Sequence, residues 1–289
     1  MRFRVIITLL LCLLLAIVGC IAWFVNRTMN SFEALHNTEY VTESIHDAWS
    51  FAVIGDTEDF HDVTRRMIDD MKKQSIDFVV VVGDVSSTTD PEKMREVRDA
   101  FTELSIPTYY VIGNNDLFFD EQTNERSSQT FTEVIQQPLN QYIAHNNARM
   151  FLLDNSYRKY GFRDETLAWF SEHLKNDSAL PYTFLFFHRP LHLPLEEIFG
   201  DDETAYSRIQ NQKFLDILSQ QSISYIFNGH IHLYVPYTLQ GIPVVVTGGG
   251  GAYPQAMLGG PSAAYFHYLI VHVPHNGIDA PSVSVQHFD

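Results

Sequence analysis

The apolar residues of this chain form two kinds of pattern. One is an almost unbroken apolar run from Val5 to Val25, and the other is a series of short apolar runs separated by stretches of helical periodicity. A helix needs about 20 apolar residues to cross a bilayer core, whereas a buried strand needs about 4 to 8. The patterns therefore predict a membrane-spanning helix followed by a domain in which strands and helices alternate.

The N-terminal run predicts how the domain is tethered. It is longer than the apolar core of a cleavable signal peptide, which is about 7 to 15 residues, so we expect an uncleaved, single-pass anchor over residues 1–27. The alternative is a lipoprotein, because the tetrad that ends at Cys20 resembles a cleavage site at which this cysteine would carry lipid. Both interpretations attach the domain to a membrane.

Basic residues near this run predict its orientation. Arg2 and Arg4 precede the run, and only Arg27 closely follows it. Because basic flanks tend to stay in the cytoplasm, we expect the body of the protein outside the cytoplasm. We assign residues 28–48 to a polar spacer and residues 49–289 to the folded domain.

Five of the short apolar runs end in a similar way, at a glycine with a carboxylate or amide, or at a histidine. They are FAVIGD at 51–56, DFVVVVGD at 77–84, YYVIGN at 109–114, TFLFFH at 183–188 and SYIFNGH at 224–230. Such runs are typical of strands buried on both faces, and the intervening helical patterns predict helices packed over a sheet. One helix should begin at Asp90-Pro91, with the aspartate as its N-cap.

The polar residues that end these runs have the chemistry of a metal site. Ligands bind at the carboxyl ends of strands in such sheets, so we expect these residues to meet in one cleft. They are Asp56, Asp84, Asn114, His188, His230 and His232. Each motif alone is commonly a turn or a boundary histidine, but that interpretation gives no reason for all five runs to end in a ligand type. Carboxylate, amide and imidazole ligands together suit a pair of divalent metals.

The order of these motifs resembles the calcineurin-like metallophosphoesterase superfamily over roughly residues 50–275, as do HRPLH at 188–192 and VVTGGGGA at 245–252. The resemblance implies an α/β, four-layer fold of two packed mixed β-sheets flanked by helices, and a binuclear centre. It also implies the ligands. Asp84 would bridge the metals, one metal would also bind Asp56 and His232, and the other would bind Asn114, His188 and His230.

The first motif departs from the family pattern. Asp-x-His is replaced by Asp56-Thr57-Glu58. Glu58 could remain a metal ligand through its carboxylate, which would favour the hard ions Mn or Mg. Alternatively, it could act only as an acidic residue at the start of the following helix.

The third motif departs as well, because Gly-Asn-His-Asp or Glu is replaced by Gly113-Asn114-Asn115-Asp116. The family's histidine at this position is assigned as the proton donor to the leaving oxygen, and an amide cannot perform that transfer. Asn115 could still donate a hydrogen bond to a phosphoryl oxygen. We expect Arg189 and His192 to add positive charge near the substrate.

These observations predict a metal-dependent phosphohydrolase that cleaves a phosphate ester or phosphoanhydride by means of a hydroxide bridging two divalent cations. Asp84 and Asn115 are the expected catalytic residues, and Mn is the favoured metal, with Fe, Zn or Mg as alternatives. The altered motifs also permit a second function, a weakly active or inactive module that binds metal or a phosphorylated ligand. A purely structural membrane protein would leave the five motifs unexplained.

Charge limits the partners. The chain carries 19 basic and 35 acidic residues, with a formal net charge of −16. Such a surface repels phosphate backbones, and we find no cluster of lysine or arginine in the sequence. We therefore expect a small phosphorylated substrate and no nucleic acid polymer.

The missing proton donor leads to a prediction about substrates. General acid catalysis contributes about 10²–10⁴-fold, and its loss should slow poor leaving groups most. With Mn supplied, activated aryl phosphates or phosphoanhydrides should turn over far faster than alkyl monoesters. Steady-state turnover of such a pair measures the difference, and equal rates would contradict the prediction.

Overall fold

The computed structural model describes residues 48–194, 203–254 and 265–289. The predicted anchor, the alternative lipid attachment at Cys20 and almost all of the spacer lie outside these residues. Within the described ranges, no helix is long and apolar enough to cross a membrane. The assignments made for the N-terminal segment therefore stay predictions.

The described residues form two large β-sheets, a small hairpin and helices between the strands. The strands are β1 (Ala48–Ile54), β2 (Val79–Val82), β3 (Thr108–Val111), β4 (Phe118–Asp120), β5 (Glu125–Ser127), β6 (Gln141–His145), β7 (Ala148–Leu152), β8 (Tyr182–Phe186), β9 (Tyr225–Asn228), β10 (Tyr234–Leu239), β11 (Ile242–Thr247), β12 (Phe266–Pro274) and β13 (Ser282–Phe288). The helices are α1 (Asp62–Met71), α2 (Pro91–Thr102), α3 (Gln129–Ile135), α4 (Asp164–His173) and α5 (Ala205–Leu218).

Both large sheets are mixed: the first is parallel from β1 to the edge strand β3 and antiparallel at its other end, and the second has a parallel centre with an antiparallel strand at each edge. The first has the order β13-β12-β1-β2-β3, and the second has the order β10-β11-β9-β8-β7-β6. The five predicted strands are β1, β2 and β3 of the first sheet and β8 and β9 of the second. Within each sheet these strands pair in parallel, so their carboxyl ends lie at the same edge. In contrast, β12 pairs with β1 antiparallel, from Ala48 opposite Pro274 to Val53 opposite Leu269.

An aromatic core joins the two sheets face to face. Phe51 of β1 stacks on Phe78 with ring centroids 5.0 Å apart, and it meets Phe184 of β8 edge to face at 5.3 Å. Alternate residues of a strand point to opposite faces. Phe51 and Val53 therefore face the second sheet, whereas Ala52 and Ile54 pack in a separate core on the other side.

Helices cover the outer face of each sheet. On the first sheet, that separate core contains Met67 of α1, Phe101 of α2 and Phe131 of α3. On the second, Phe170 of α4 packs against Phe151 of β7 at 5.1 Å, and Phe214 of α5 packs against Phe162 and Phe187. The result is a mixed α/β architecture of packed sheets flanked by helices.

The predicted start of α2 is confirmed. The Asp90 side chain accepts hydrogen bonds from the N–H groups of Glu92 at 2.8 Å and Lys93 at 3.4 Å, and Pro91 opens the helix. An aspartate at this position satisfies N–H groups that have no partner inside the helix. In contrast, α1 begins only at Asp62, so residues 55–61 form a loop between β1 and this helix.

We predict that Phe51→Ala destabilises the domain strongly, because this ring is fully buried between the sheets. Truncating a buried phenylalanine costs about 3–5 kcal/mol in the free energy of unfolding. Phe118→Ala is the matched control. This ring is 49% exposed, and surface substitutions of this kind change stability by about 0.5 kcal/mol or less. Chemical denaturation measures both, and similar losses for the two variants would contradict the packing described above.

Candidate metal centre

The loops that follow five strands bring all the sequence-predicted ligands together. Asp56 and Glu58 follow β1, Asp84 follows β2, Asn114 follows β3, His188 follows β8, and His230 and His232 follow β9. Hydrogen bonds and close polar contacts connect these loops across the two sheets. For example, the N–H of His230 donates to both carboxylate oxygens of Asp56 at 2.9 Å.

Glycines allow the five loops to approach so closely. Gly83 has a φ of +91°, and a Cβ atom there would lie 2.2 Å from Nδ1 of His188. A Cβ on Gly113 would lie 2.1 Å from Oδ1 of Asp84, and one on Gly229 would lie 2.4 Å from Oδ2 of Asp56. Real side chains do not tolerate these distances. Each of these glycines is therefore required by the close packing of another site residue, and not only by a turn.

One group of donors surrounds Asp84. The ligand atoms of Asp84, His188 and His230 all lie within 4.8 Å of one another. Nε2 of His188 lies 3.3 Å from Oδ2 of Asp84 and 3.1 Å from Oδ1 of Asn114. Two oxygen ligands and two imidazoles thus converge on a space of atomic size, which suits a divalent cation.

A second group consists of Asp56, Glu58 and His232. Nε2 of His232 lies 3.4 Å from Oε1 of Glu58 and 3.7 Å from Oδ1 of Asp56. The group adjoins the first one, because the Glu58 N–H donates to the Asp84 carbonyl at 3.0 Å. These three side chains offer two carboxylates and one imidazole.

His188 and His232 are oriented as metal ligands usually are. Nδ1 of His188 lies 3.0 Å from the Val82 carbonyl, and Nδ1 of His232 lies 3.3 Å from the Tyr253 carbonyl. A carbonyl only accepts, so Nδ1 carries the proton, and a neutral ring then directs the Nε2 lone pair toward oxygen atoms. This arrangement is repulsive unless a proton or a cation lies between nitrogen and oxygen. The donor set therefore fits a bound cation.

Electrostatics lead to the same conclusion. Burial, reinforced by the neighbouring carboxylate of Asp84, raises the pKa of Asp56 well above its ordinary value. Burial would also raise the pKa of Asp84, but the adjacent His188 outweighs it, and the pKa of Asp84 is lowered. For His188, burial favours the neutral ring, yet the charge of Asp84 raises its pKa to about 9. Buried carboxylates at this spacing require positive charge, which a divalent cation would supply.

Glu58 lies in the loop and not in the helix. It precedes the first residue of α1 by four positions and has a φ of +39°, so the interpretation as a helix-start residue is wrong. Its carboxylate accepts a hydrogen bond from Nδ2 of Asn115 at 3.1 Å and faces His232. Burial raises its pKa, and the charge of His232 opposes that rise. Both altered motif positions therefore touch each other in the site.

Two further aspartates hold the ligand loops in place. Asp59 accepts from Nζ of Lys93 at 2.6 Å and from Oγ of Ser87 at 2.8 Å, which ties the loop after β1 to α2. Asp116 accepts from the N–H groups of Ser86 at 3.0 Å and Gly113 at 2.8 Å. Burial, with the charge of Asp84, raises the pKa of Asp116 to about 7. Asp116 is part of the third motif and could be found from the sequence, whereas nothing in the sequence predicts that Asp59 pairs with Lys93.

Two of the three predicted substrate-binding residues, Arg189 and His192, have different positions. Arg189 is almost fully buried, and one guanidinium nitrogen donates to Oδ1 of Asn114 at 3.0 Å. His192 is exposed and does not line the cleft that opens above Asn114 and Asn115. The contact of Arg189 with Asn114 places its charge beside the donors, whereas the role of His192 stays a prediction.

Comparison with known proteins agrees with this geometry. The model of the calcineurin-like phosphoesterase family matches residues 50–234, and the chain belongs to this family. Members of the family use divalent metal ions, and the donors around Asp84 form a candidate site for one. No curated protein sequence matches significantly.

Three solved structures share the fold at low sequence identity. A purple acid phosphatase, PPD1, from yellow lupin seeds is 15% identical with a TM-score of 0.61, and the match covers 84% of this chain and 53% of that one. This chain thus spans about half the length of the lupin protein. GAP50, an anchor in the inner membrane complex of Plasmodium, is 11% identical with a TM-score of 0.58, covering 83% and 84%. A dimetal phosphatase from Danio rerio is 12% identical with a TM-score of 0.54, covering 82% and 98%.

The position of Glu58 generates a prediction. Glu58→Gln keeps the size of the side chain but removes its charge, so Mn affinity should fall by at least about tenfold, as it does when a metal site loses an anionic contact. Glu172→Gln is the control, because Glu172 is exposed on α4 and outside the site. Calorimetric titration with Mn measures both variants. Unchanged Mn binding in Glu58→Gln would show that this carboxylate holds no cation.

Proposed function

We propose that this chain is a metal-dependent phosphohydrolase that cleaves a phosphate ester or a phosphoanhydride at a binuclear centre. Membership of a phosphoesterase family supports the reaction class. The observation that carries the proposal is that two donor groups adjoin. Asp84, His188 and His230 form the first, and Asp56, Glu58 and His232 form the second, which the N–H of Glu58 links to the Asp84 carbonyl.

The proposed ligand roles follow from these two groups. Asp56, Glu58 and His232 would hold one cation, and Asn114, His188 and His230 would hold the other, with Asp84 between them. When bound, the two cations would lower the pKa of a water molecule and neutralise charge on the phosphoryl oxygens. The donors, which are mostly oxygen atoms with three imidazoles, support Mn, with Fe, Zn or Mg as alternatives.

The residues around the donors would orient the substrate. Asn115 lines the cleft, and its N–H donates to Oδ1 of Asp84 at 2.8 Å, which fixes it beside the proposed centre. Its side-chain amide would donate to a phosphoryl oxygen, while the guanidinium of Arg189 would add positive charge on the side of Asn114. None of these groups transfers a proton to the leaving oxygen, so the leaving group must depart as an anion.

A second function is favoured by the contact between the two altered motif positions. Nδ2 of Asn115 donates to Oε1 of Glu58, so the amide that would meet a phosphoryl oxygen already has a partner in the site. A module that binds metal or a phosphorylated ligand with little or no turnover would tolerate this contact. Metal content and activity together distinguish the two functions.

We also propose that the N-terminal apolar segment tethers the domain to a membrane, with the domain outside the cytoplasm. The length of the apolar run and the basic residues that precede it support this proposal. Either a spanning helix or lipid on Cys20 would give the same location. The substrate would then be a small phosphorylated molecule of the envelope or of the medium.

The central role of Asp84 generates a prediction. The purified protein should contain two divalent ions per chain and hydrolyse p-nitrophenyl phosphate or its diester. Asp84→Asn should lower this activity by more than about a hundredfold, the scale at which losing one catalytic group acts. Asp216→Asn should keep it, because this residue is exposed on α5 and its carboxylate accepts a hydrogen bond from Gln212 outside the site. Elemental analysis and a chromogenic assay measure both quantities. One ion or none, with no activity that depends on Asp84, would favour the binding module.

A further inference from the structure

The cleft beside the candidate metal centre extends well beyond the metal ligands. Its volume is about 500 Å³, which is within the usual range of small-molecule sites. Asn114, Asn115 and His230 form its base, and residues 124–126 and 156–160 form one wall. A single phosphoryl group placed at the base would leave most of this volume to the leaving group.

The cleft is basic, although the chain as a whole is acidic. Arg126, Arg158, Lys159 and Arg189 line it, whereas Glu125 is the one acidic residue among the lining residues that the structure describes. The whole chain has 19 basic and 35 acidic residues. These basic residues come from three separate segments, which is why the sequence shows no cluster. The local excess of positive charge would attract an anion into the cleft.

The cationic groups of Arg126 and Lys159 lie over aromatic rings. The guanidinium of Arg126 lies 5.4 Å from the ring centroid of Phe119, and Nζ of Lys159 lies 5.0 Å from that of Tyr160. Among the residues that the structure describes, neither side chain forms an ion pair within 4.0 Å. An anion could therefore bind these two cations without first displacing a carboxylate.

The charge of this wall and the amide of Asn115 lead to one substrate class. Asn115 cannot protonate a leaving group, and the adjoining wall offers positive charge where a departing anion would lie. We propose that the substrate is a phosphoanhydride whose leaving group is a second phosphate, bound by Arg126 and Lys159. This inference rests on the proposed hydrolase function and names the substrate class for the same site.

The reaction balances without any further reactant. The oxygen of water bonds to the terminal phosphorus, and the bond from this phosphorus to the bridging oxygen breaks. The bridging oxygen leaves with the electron pair as part of the second phosphate, and the water protons pass to the phosphate products or to solvent. A phosphate is a good leaving group without protonation, whereas an alkoxide is not, so the amide at position 115 suits an anhydride.

The aromatic lining adds a place for the rest of the molecule. Tyr157, Tyr160 and Phe119 line the cleft beyond Asn115, and their faces could pack against a flat or apolar group attached to the second phosphate. A nucleoside diphosphate and an isoprenoid diphosphate both have this chemistry. The experiment therefore includes one substrate from each source.

The test compares substrates with and without a second phosphate in the double variant Arg126→Ala/Lys159→Ala. The ratio of kcat/KM for ADP, or for farnesyl diphosphate, to that for p-nitrophenyl phosphate should fall at least about 30-fold, because two charge-assisted contacts to the leaving phosphate are lost. Lys73→Ala/Lys175→Ala removes the same charge from exposed positions outside the cleft and should leave the ratio unchanged. A fall with only one of the two diphosphates would support the inference and identify the organic group that Tyr157, Tyr160 and Phe119 accept.

Two further measurements keep the outcomes distinct. Arg126→Lys/Lys159→Arg retains both charges and should retain most of the preference, which separates charge from folding effects. Calorimetric binding of a methylene-bridged, non-hydrolysable ADP should weaken at least about tenfold in the alanine variant. An unchanged ratio together with unchanged binding would overturn the inference and leave the hydrolase intact. A wild-type protein that hydrolyses none of these substrates would refute the proposed function, while the binding measurement would still decide whether this wall holds a second phosphate.

Discussion

The structure depends on burying two carboxylates, those of Asp56 and Asp84, where the loops of two packed sheets meet. An isolated buried carboxylate is costly, so each requires hydrogen-bond donors and positive charge close by. The backbone N–H groups of His230 and Asn115 and the ring of His188 supply part of this requirement. Glycines bring these partners near enough, and a divalent cation would supply further positive charge. Fold and chemistry therefore arise from one constraint.

Much of this site could be predicted from the sequence, because the candidate ligands lie where buried strands end. The five runs with continuous apolar character became β1, β2, β3, β8 and β9, and the residues after them converge. The other strands were not predicted. The hairpin strands β4 and β5 are three residues each, and β10 alternates buried residues with less buried ones. None of these three strands contains a continuous apolar run. β4 pairs with β5, and β10 pairs with β11, so these strands form as local hairpins and not as buried parallel strands.

Features that depend on side-chain direction could not be predicted. The choice between two roles for Glu58 required the loop conformation. The sequence shows neither its positive φ nor the residue at which α1 begins, and these decide whether the side chain faces the site or the solvent. The basic residues of the cleft could not be recognised as a group either, since Arg126, Lys159 and Arg189 are separated by tens of residues. The changes at positions 58 and 115 occur together in space, so the altered motifs form one modified region beside these basic residues and not two independent losses.

The antiparallel pairing of β1 with β12 has a consequence for how the domain forms. The strand that presents Asp56 lies between β2 and a strand from the far end of the chain. Contacts between such distant residues slow folding, because a long loop must close before they can form. A nascent chain that has not yet released β12 and β13 from the ribosome would carry β1 with one edge unpaired. Strands synthesised long after β1 thus complete the sheet that carries the first candidate ligand.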